Sequence, residues 1–188
     1  MIRKAVQWLF RLAIFVAYRS YKAEGLNAIF LVLPAKFLAP TLIKYGATIG
    51  ANVDMHTPII FHNVSAELDR HYSNLQIGSD CYLGREVFLD LAEKIVIEDK
   101  VTVSMRAMFV THTHAGTSPL SAGVLEPSYG PIVLGRGCYI GAGAIILHGV
   151  RIGEEAIVGA GAVVTRNVPP RVTVIGSPAT ILEKDIHG

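Results

Sequence analysis

A period of six governs residues 134 to 169. Read as LGRGCY, IGAGAI, ILHGVR, IGEEAI, VGAGAV and VTRNVP, the stretch puts an aliphatic residue first in every six: Leu134, Ile140, Ile146, Ile152, Val158 and Val164. The fifth place holds Cys138, Ala144, Val150, Ala156, Ala162 and Val168, all small or β-branched. An α-helix cannot use this period, because at about 3.6 residues per turn the apolar positions would drift around its surface. Short strands joined by tight corners can use it, with two places per six facing an interior. The glycines, acids and asparagine between them suit corners that need unusual backbone angles. The expected fold class is an all-β solenoid of hexapeptide repeats.

The stretch resembles the hexapeptide-repeat acyltransferases. The resemblance implies a left-handed parallel β-helix in which three sixes make one coil of a triangular prism. Two coils then stand in residues 134 to 169 without a break.

Upstream, the same pattern is interrupted. IGANVD, MHTPII and FHN begin a coil at Ile49, and a polar excursion from Val64 to Gln76 breaks it. The period resumes with IGSDCY, LGREVF and LDLAEK from Ile77, takes two extra residues read as Ile95 and Val96, and continues with IEDKVT, VSMRAM and FVTHTH from Ile97. After His114 it stops until Leu134, and the intervening Gly-, Ser- and Pro-rich stretch reads as a loop thrown out from a corner. A loop of that length in so regular a fold is expected to be functional.

Three parts are therefore expected: an N-terminal apolar helical arm over 1–45, a β-helix over 46–170 with loop 115–131 extruded, and a C-terminal tail segment over 171–188. The apolar share of 51% reflects both the solenoid and the arm. A net charge of only +2 leaves no general nucleic-acid footprint. Cys81 and Cys138 fall at fifth places and read as buried thiols rather than a disulfide or a metal pair.

Residues 1 to 24 read as a helix that ends at Gly25, with Lys4, Gln7, Arg11, Tyr18 and Lys22 forming a narrow polar stripe on a broad apolar surface. Two readings stand side by side. The helix packs on protein, either this solenoid or a neighbouring subunit, or it lies in a membrane interface with Trp8 and its aliphatic neighbours sunk into lipid. A spanning role is disfavoured, because Pro34, Lys36 and Pro40 interrupt the second apolar run, Leu26 to Ile43. No cleavable signal is read at the N-terminus, where Arg11 breaks the apolar stretch.

Counted from Phe109, His114 is the sixth residue of its six, at the brink of the loop. That ordering resembles the galactoside and maltose O-acetyltransferase branch of the family, in which a catalytic histidine closes the corresponding six. Acyl transfer to a hydroxyl needs a base, and a neutral imidazole supplies one, with corner N–H groups as donors to the tetrahedral oxyanion. The count thus assigns His114 as general base, with His112 its rival in the T-H-x-H run. The resemblance places Glu86 where relatives carry an acceptor-holding asparagine. It also lines a coenzyme A groove with Tyr139, Ala142, Ala160, Thr165 and Arg166, the last suited to meeting a phosphate bidentately. One departure is Thr180, where relatives carry Arg or Lys, with Arg171 or Lys184 as substitutes. His148 is read as an outward residue near a subunit contact, and His56, His62, His71 and His187 receive no role.

The implied function is an acyl-CoA-dependent O-acyltransferase, with acetyl-CoA as donor and a saccharide or glycan-precursor hydroxyl as acceptor. No metal is expected. The resemblance further implies a homotrimer with each site between two prisms. The expected location is cytoplasmic, or peripheral on the inner membrane face if the arm binds lipid. Two other classes stand beside the acyltransferase. A zinc-dependent lyase like the γ-carbonic anhydrases uses the same solenoid, but no H-x4-H spacing is present. A non-catalytic scaffold remains because fold alone proves no activity.

Overall fold

A computed structural model describes residues 2–65, 71–121 and 123–182. The expectations at Lys184 and His187 fall outside them. From Thr48 onward the chain visits three parallel sheets in strict rotation, so that they form the faces of a prism. The first face runs through Thr48–Ile49, Leu75–Ile77, Ile95–Ile97, Ile132–Leu134 and Arg151–Ile152. The second runs through Asp54–Met55, Tyr82–Leu83, Thr102–Val103, Tyr139–Ile140 and Ile157–Val158, and the third through Ile59–His62, Val87–Asp90, Met108–Val110, Ile145–Leu147 and Val163–Val164.

Register follows the period of six. Ile77, Ile97, Leu134 and Ile152 pair in a column on the first face. Leu83, Val103, Ile140 and Val158 do so on the second, and Phe61, Leu89, Phe109, Ile146 and Val164 on the third. All of these point inward and are buried, and the apolar fifth-place residues, from Cys81 to Val168, fill the corners between the columns. The corners stack closely: a Cβ built on Gly141 would lie 2.5 Å from the Ala160 backbone nitrogen, so this corner requires glycine.

Every departure from an eighteen-residue coil leaves by one edge, the one between the third face and the first. The excursion after His62, a bend at Ala92–Glu93 and the long loop after Val110 all lie there. This corrects the placement of the two extra residues. Ile95 and Val96 are ladder residues paired with Leu75 and Gln76, and the extra pair falls between Leu91 and Ile95. The long loop is also more ordered than its composition implies, because His112–Thr113 pairs antiparallel with Ser128–Tyr129 as a short ribbon.

The N-terminal segments cover the open end of the prism. Ile2–Phe30 is helical with a break at Lys22, whose φ of 52° and ψ of −129° split it in two, and Leu38–Lys44 forms a second helix. Leu26, Phe30, Leu33, Leu38 and Leu42 are buried, Phe30 meets Phe61 edge-on at 5.5 Å, and the Tyr72 hydroxyl donates to Asn27 Oδ1 at 2.8 Å. The helix therefore breaks at Lys22 and not at Gly25. Gly25 serves close approach instead: a Cβ there would sit 2.1 Å from the Ala17 carbonyl oxygen, so the second half folds back against the first. No helix among the described residues is long and apolar enough to cross a membrane. At the far end, Thr173–Ile175 joins the second face and pairs antiparallel with Thr180–Ile181.

Because Ile146 is buried between Phe109 and Val164 in its column, Ile146→Ala should lower the unfolding free energy by about 2–5 kcal/mol. Urea titration of the two proteins checks this, and an unchanged midpoint would contradict the stacking described.

Candidate active site

The shared edge gathers polar groups around one buried carboxylate. Asp90 ends its third-face strand and is only 1% exposed. An unpaired carboxylate there would be costly, and this one is heavily bonded. Asn63 Nδ2 donates to Oδ1 at 2.8 Å, while the Thr111 amide at 2.9 Å and the Thr111 hydroxyl at 3.0 Å reach Oδ2. His112 Nδ1 lies 2.6 Å from the same Oδ2. Burial by itself pushes the Asp90 carboxyl up, but the hydrogen bonds from His112, Asn63 and Thr111 together outweigh it and hold the carboxyl below its usual range.

Since the carboxylate can only accept, His112 donates from Nδ1, and the neutral ring keeps its lone pair on Nε2. Two nearly parallel rings hold the imidazole. His62 stacks at 6.5 Å with an 18° tilt, and Tyr129 at 5.8 Å with a 19° tilt. His112 is half-buried and lines an open cavity of about 510 Å³ with Asn63, Val64, Ala92, His114 and Tyr129. A ring with a fixed tautomer, a carboxylate behind it and a cavity beside it can remove a proton from a bound acceptor.

His114 lines the same cavity in a different state. It is exposed, and its Nδ1 accepts from the Gly116 amide at 2.9 Å. The lone pair that a base must offer is thus already engaged. The register that sets His114 at the close of its six does not continue past Thr111. Thr113, which that register turns inward, is exposed, because the chain leaves the prism after Thr111 to pair with Ser128–Tyr129.

The remaining expected residues divide between two edges. Thr165 and Arg166 are exposed on the edge of His112, two coils along, about 10 Å at ordinary strand spacing. Glu86, Ala142 and Ala160 lie on the neighbouring edge, between the second and third faces, and Tyr139 on the second face beside it. Glu86 has a φ of +60° and is held by Arg106 Nε at 2.7 Å. It borders a separate cavity of about 360 Å³ with His56, Tyr82, Ser104 and Met105. Tyr139 accepts from the Ser104 hydroxyl at 3.0 Å, and the Gly161 amide donates to the Ala142 carbonyl at 2.9 Å. Within the chain the third face separates Glu86 from His112. His148 is half-buried on the His112 edge.

Asp90, Asn63 and Tyr129 were not singled out by sequence, and His62 received no role there. The available signal was the pair of extra residues between Leu91 and Ile95, which marks the same edge as the loop. Cys81 and Cys138 are buried, free thiols. Burial pushes both up, Cys138 to about 12, so they are protonated near neutral pH. Among the described residues no group of three or more His, Cys, Asp or Glu could hold a metal ion.

Comparison with known proteins agrees with this architecture. The bacterial transferase hexapeptide model, six repeats long, matches residues 131–166. A 2,3,4,5-tetrahydropyridine-2,6-dicarboxylate N-acetyltransferase from Staphylococcus aureus is 45% identical over 74 residues, which is 39% of this chain and 31% of that protein. The chain thus spans about a third of the length of the curated relatives it matches. Among solved structures, a hexapeptide-repeat acetyltransferase from Vibrio cholerae superposes with a TM-score of 0.72 at 23% identity, covering 93% of this chain and 92% of that one. A galactoside acetyltransferase in complex with coenzyme A gives 0.69 at 24% identity, covering 86% and 78%. At these identities the superpositions establish the fold.

The lowered Asp90 carboxyl has a definite sign. Its stabilisation is fully present above the ordinary carboxyl value of 3.8 and is lost as pH falls through the lower folded-state value. Asp90→Asn should therefore cost about 2–4 kcal/mol at neutral pH. That difference should shrink below about pH 4. Denaturant titrations at several pH values check it, and a constant difference would contradict the assignment.

Proposed function

We propose that this chain, which carries the bacterial transferase hexapeptide repeat, transfers an acetyl or other short acyl group from an acyl-CoA thioester to a hydroxyl, with His112 as general base. The observation that carries the proposal is the 2.6 Å contact between His112 Nδ1 and the buried Asp90 carboxylate at the wall of an open cavity. The hydroxyl oxygen attacks the thioester carbonyl while Nε2 takes its proton. The tetrahedral adduct then collapses, the C–S bond breaks, and the proton passes from Nε2 to the departing thiolate, leaving an ester and free coenzyme A. Backbone N–H groups at the corners stabilise the oxyanion. Asp90 holds the ring and stabilises the imidazolium, and no covalent enzyme intermediate forms.

The donor reading draws on the coenzyme A bound to the galactoside acetyltransferase and on Arg166, which stands exposed on the His112 edge and offers a fork for a phosphate. A saccharide or glycan-precursor hydroxyl suits the cavity lining, in which Asn63, His114 and Tyr129 offer hydrogen bonds and, among the described residues, none carries a carboxylate to pair with an ammonium. The 45% identity to an N-acetyltransferase favours a second reading, an amine acceptor served by the same base. In this proposal the prism is wound left-handed and assembles as a homotrimer. One copy's edge of Glu86, Ala142 and Ala160, with Tyr139 beside it, then faces the next copy's edge of His112, Thr165 and Arg166, and the two walls enclose the donor.

Acetyl-CoA should raise the Tm by mass action, and Arg166→Glu should reduce that rise. With acetyl-CoA and a panel of sugars and amines, product mass and thiol release identify the acceptor. His112→Ala should then lower kcat by about 10²–10⁴-fold. His114→Ala should stay within about tenfold of the parent protein, because its lone pair serves only the local turn. An inactive His114→Ala beside an active His112→Ala would reverse the assignment, and no stabilisation by acetyl-CoA would remove the acyl-CoA reading.

A further inference from the structure

The first half of the kinked N-terminal helix carries two apolar faces, and the protein uses only one. Phe10, Ile14 and Tyr18, at helical spacing, pack inward: Phe10 lies 5.3 Å from Phe37, Tyr18 lies 4.3 Å from Tyr45, and Ile14 is buried. Trp8, Leu9, Leu12, Phe15 and Val16 are exposed, Trp8 at 62%. At about 100° per residue these five occupy roughly a third of the circumference. A monomer rarely leaves so contiguous an apolar face in water.

Charge identifies the partner. Seven basic residues and a single acid, Glu24, precede Asp54, whereas the whole chain nets only +2, so the remainder is net acidic. Arg11, Lys36 and Lys44 are exposed and, among the described residues, form no ion pair. They line a cavity of about 510 Å³ together with Ile14, Phe15 and Phe37. Cations beside an apolar floor suit a lipid phosphate whose acyl chains continue into the neighbouring face. An isologous contact with a second copy of this chain would oppose one positive surface to another. With no described helix long and apolar enough to cross, the remaining mode is to lie in the interface.

We infer that residues 5 to 44 form a monotopic docking surface for an anionic phospholipid membrane, with Trp8, Leu12 and Phe15 inserted and Arg11, Lys36 and Lys44 on the headgroups. The arm and the imidazole share one edge of the prism, since Val64 lines both the cavity beneath the helix break and the cavity of His112.

Trp8 is the only tryptophan, so its fluorescence reports insertion directly. Full-length protein should show a blue-shifted emission and co-sediment with vesicles containing phosphatidylglycerol, with much weaker binding to phosphatidylcholine alone and a steep loss with salt. Replacing Arg11, Lys36 and Lys44 together by Ala should weaken binding about a hundredfold, roughly fivefold per cation. Leu12→Ser with Phe15→Ser should abolish both the shift and the sedimentation while leaving Tm unchanged, because both side chains are exposed. Absence of a Trp8 shift with anionic vesicles would overturn the inference. So would a serine variant that loses self-association in sedimentation velocity while vesicle binding is unaffected, which would assign the face to a second copy. These readouts involve no turnover, so they stand apart from the acyl-transfer reading.

Discussion

Closure of each coil onto the one before it is the constraint from which the rest follows. A parallel ladder satisfies the backbone only when equivalent residues stack, and the column Phe61, Leu89, Phe109, Ile146, Val164 shows five coils held in step. At about 1.5–3 kcal/mol for each large side chain withdrawn from water, the three columns supply much of the drive for folding. A slip of one residue would turn each column outward, so register is specified strongly. Chain that does not fit the eighteen-residue circuit has to be expelled at a corner.

Expulsion at a single edge creates the site. The excursion after His62, the bend after Leu91 and the ribbon after Thr111 leave adjacent coils at neighbouring heights, opening a cavity in an otherwise closed wall. The same irregularity leaves backbone and side-chain donors without ladder partners. Asp90 answers that need: its carboxylate takes hydrogen bonds from Asn63, Thr111 and His112, and their combined effect exceeds the desolvation of the acid. Fixing the His112 tautomer is thus coupled to mending the wall. In the proposed reaction the carboxylate serves stability and chemistry through the same bonds.

This division explains what the residues revealed on reading. The columns were legible from Leu134 to Val164 because a short-range period dictates them, and the upstream interruptions were visible as gaps in it. The pairing of Asp90 with His112 was not, because those residues sit 22 positions apart, and their meeting depends on the bend between Leu91 and Ile95. His114 closes its six only while the period is extended beyond Thr111, where pairing with Ser128–Tyr129 takes over. Gly25 is a similar case. Its missing side chain suits a helix end equally well as a close helix contact, and the Ala17 carbonyl decides for contact.

The break at Lys22 shows how one strained residue separates two tasks. Its backbone conformation costs on the order of 1–3 kcal/mol, while burying Leu26 and Phe30 just beyond it returns about 3–6 kcal/mol. The segment after the break is therefore committed to capping the prism, where Phe30, Phe61 and Tyr72 form a mutual aromatic contact. The segment before it is held only along the stripe of Phe10, Ile14 and Tyr18. Nothing in that stripe requires the opposite face to be apolar, and a helix needed merely as a lid would be more soluble with polar residues there. The exposure of Trp8, Leu12 and Phe15 in water, beside cations that form no ion pair among the described residues, fits the inferred demand from outside the prism.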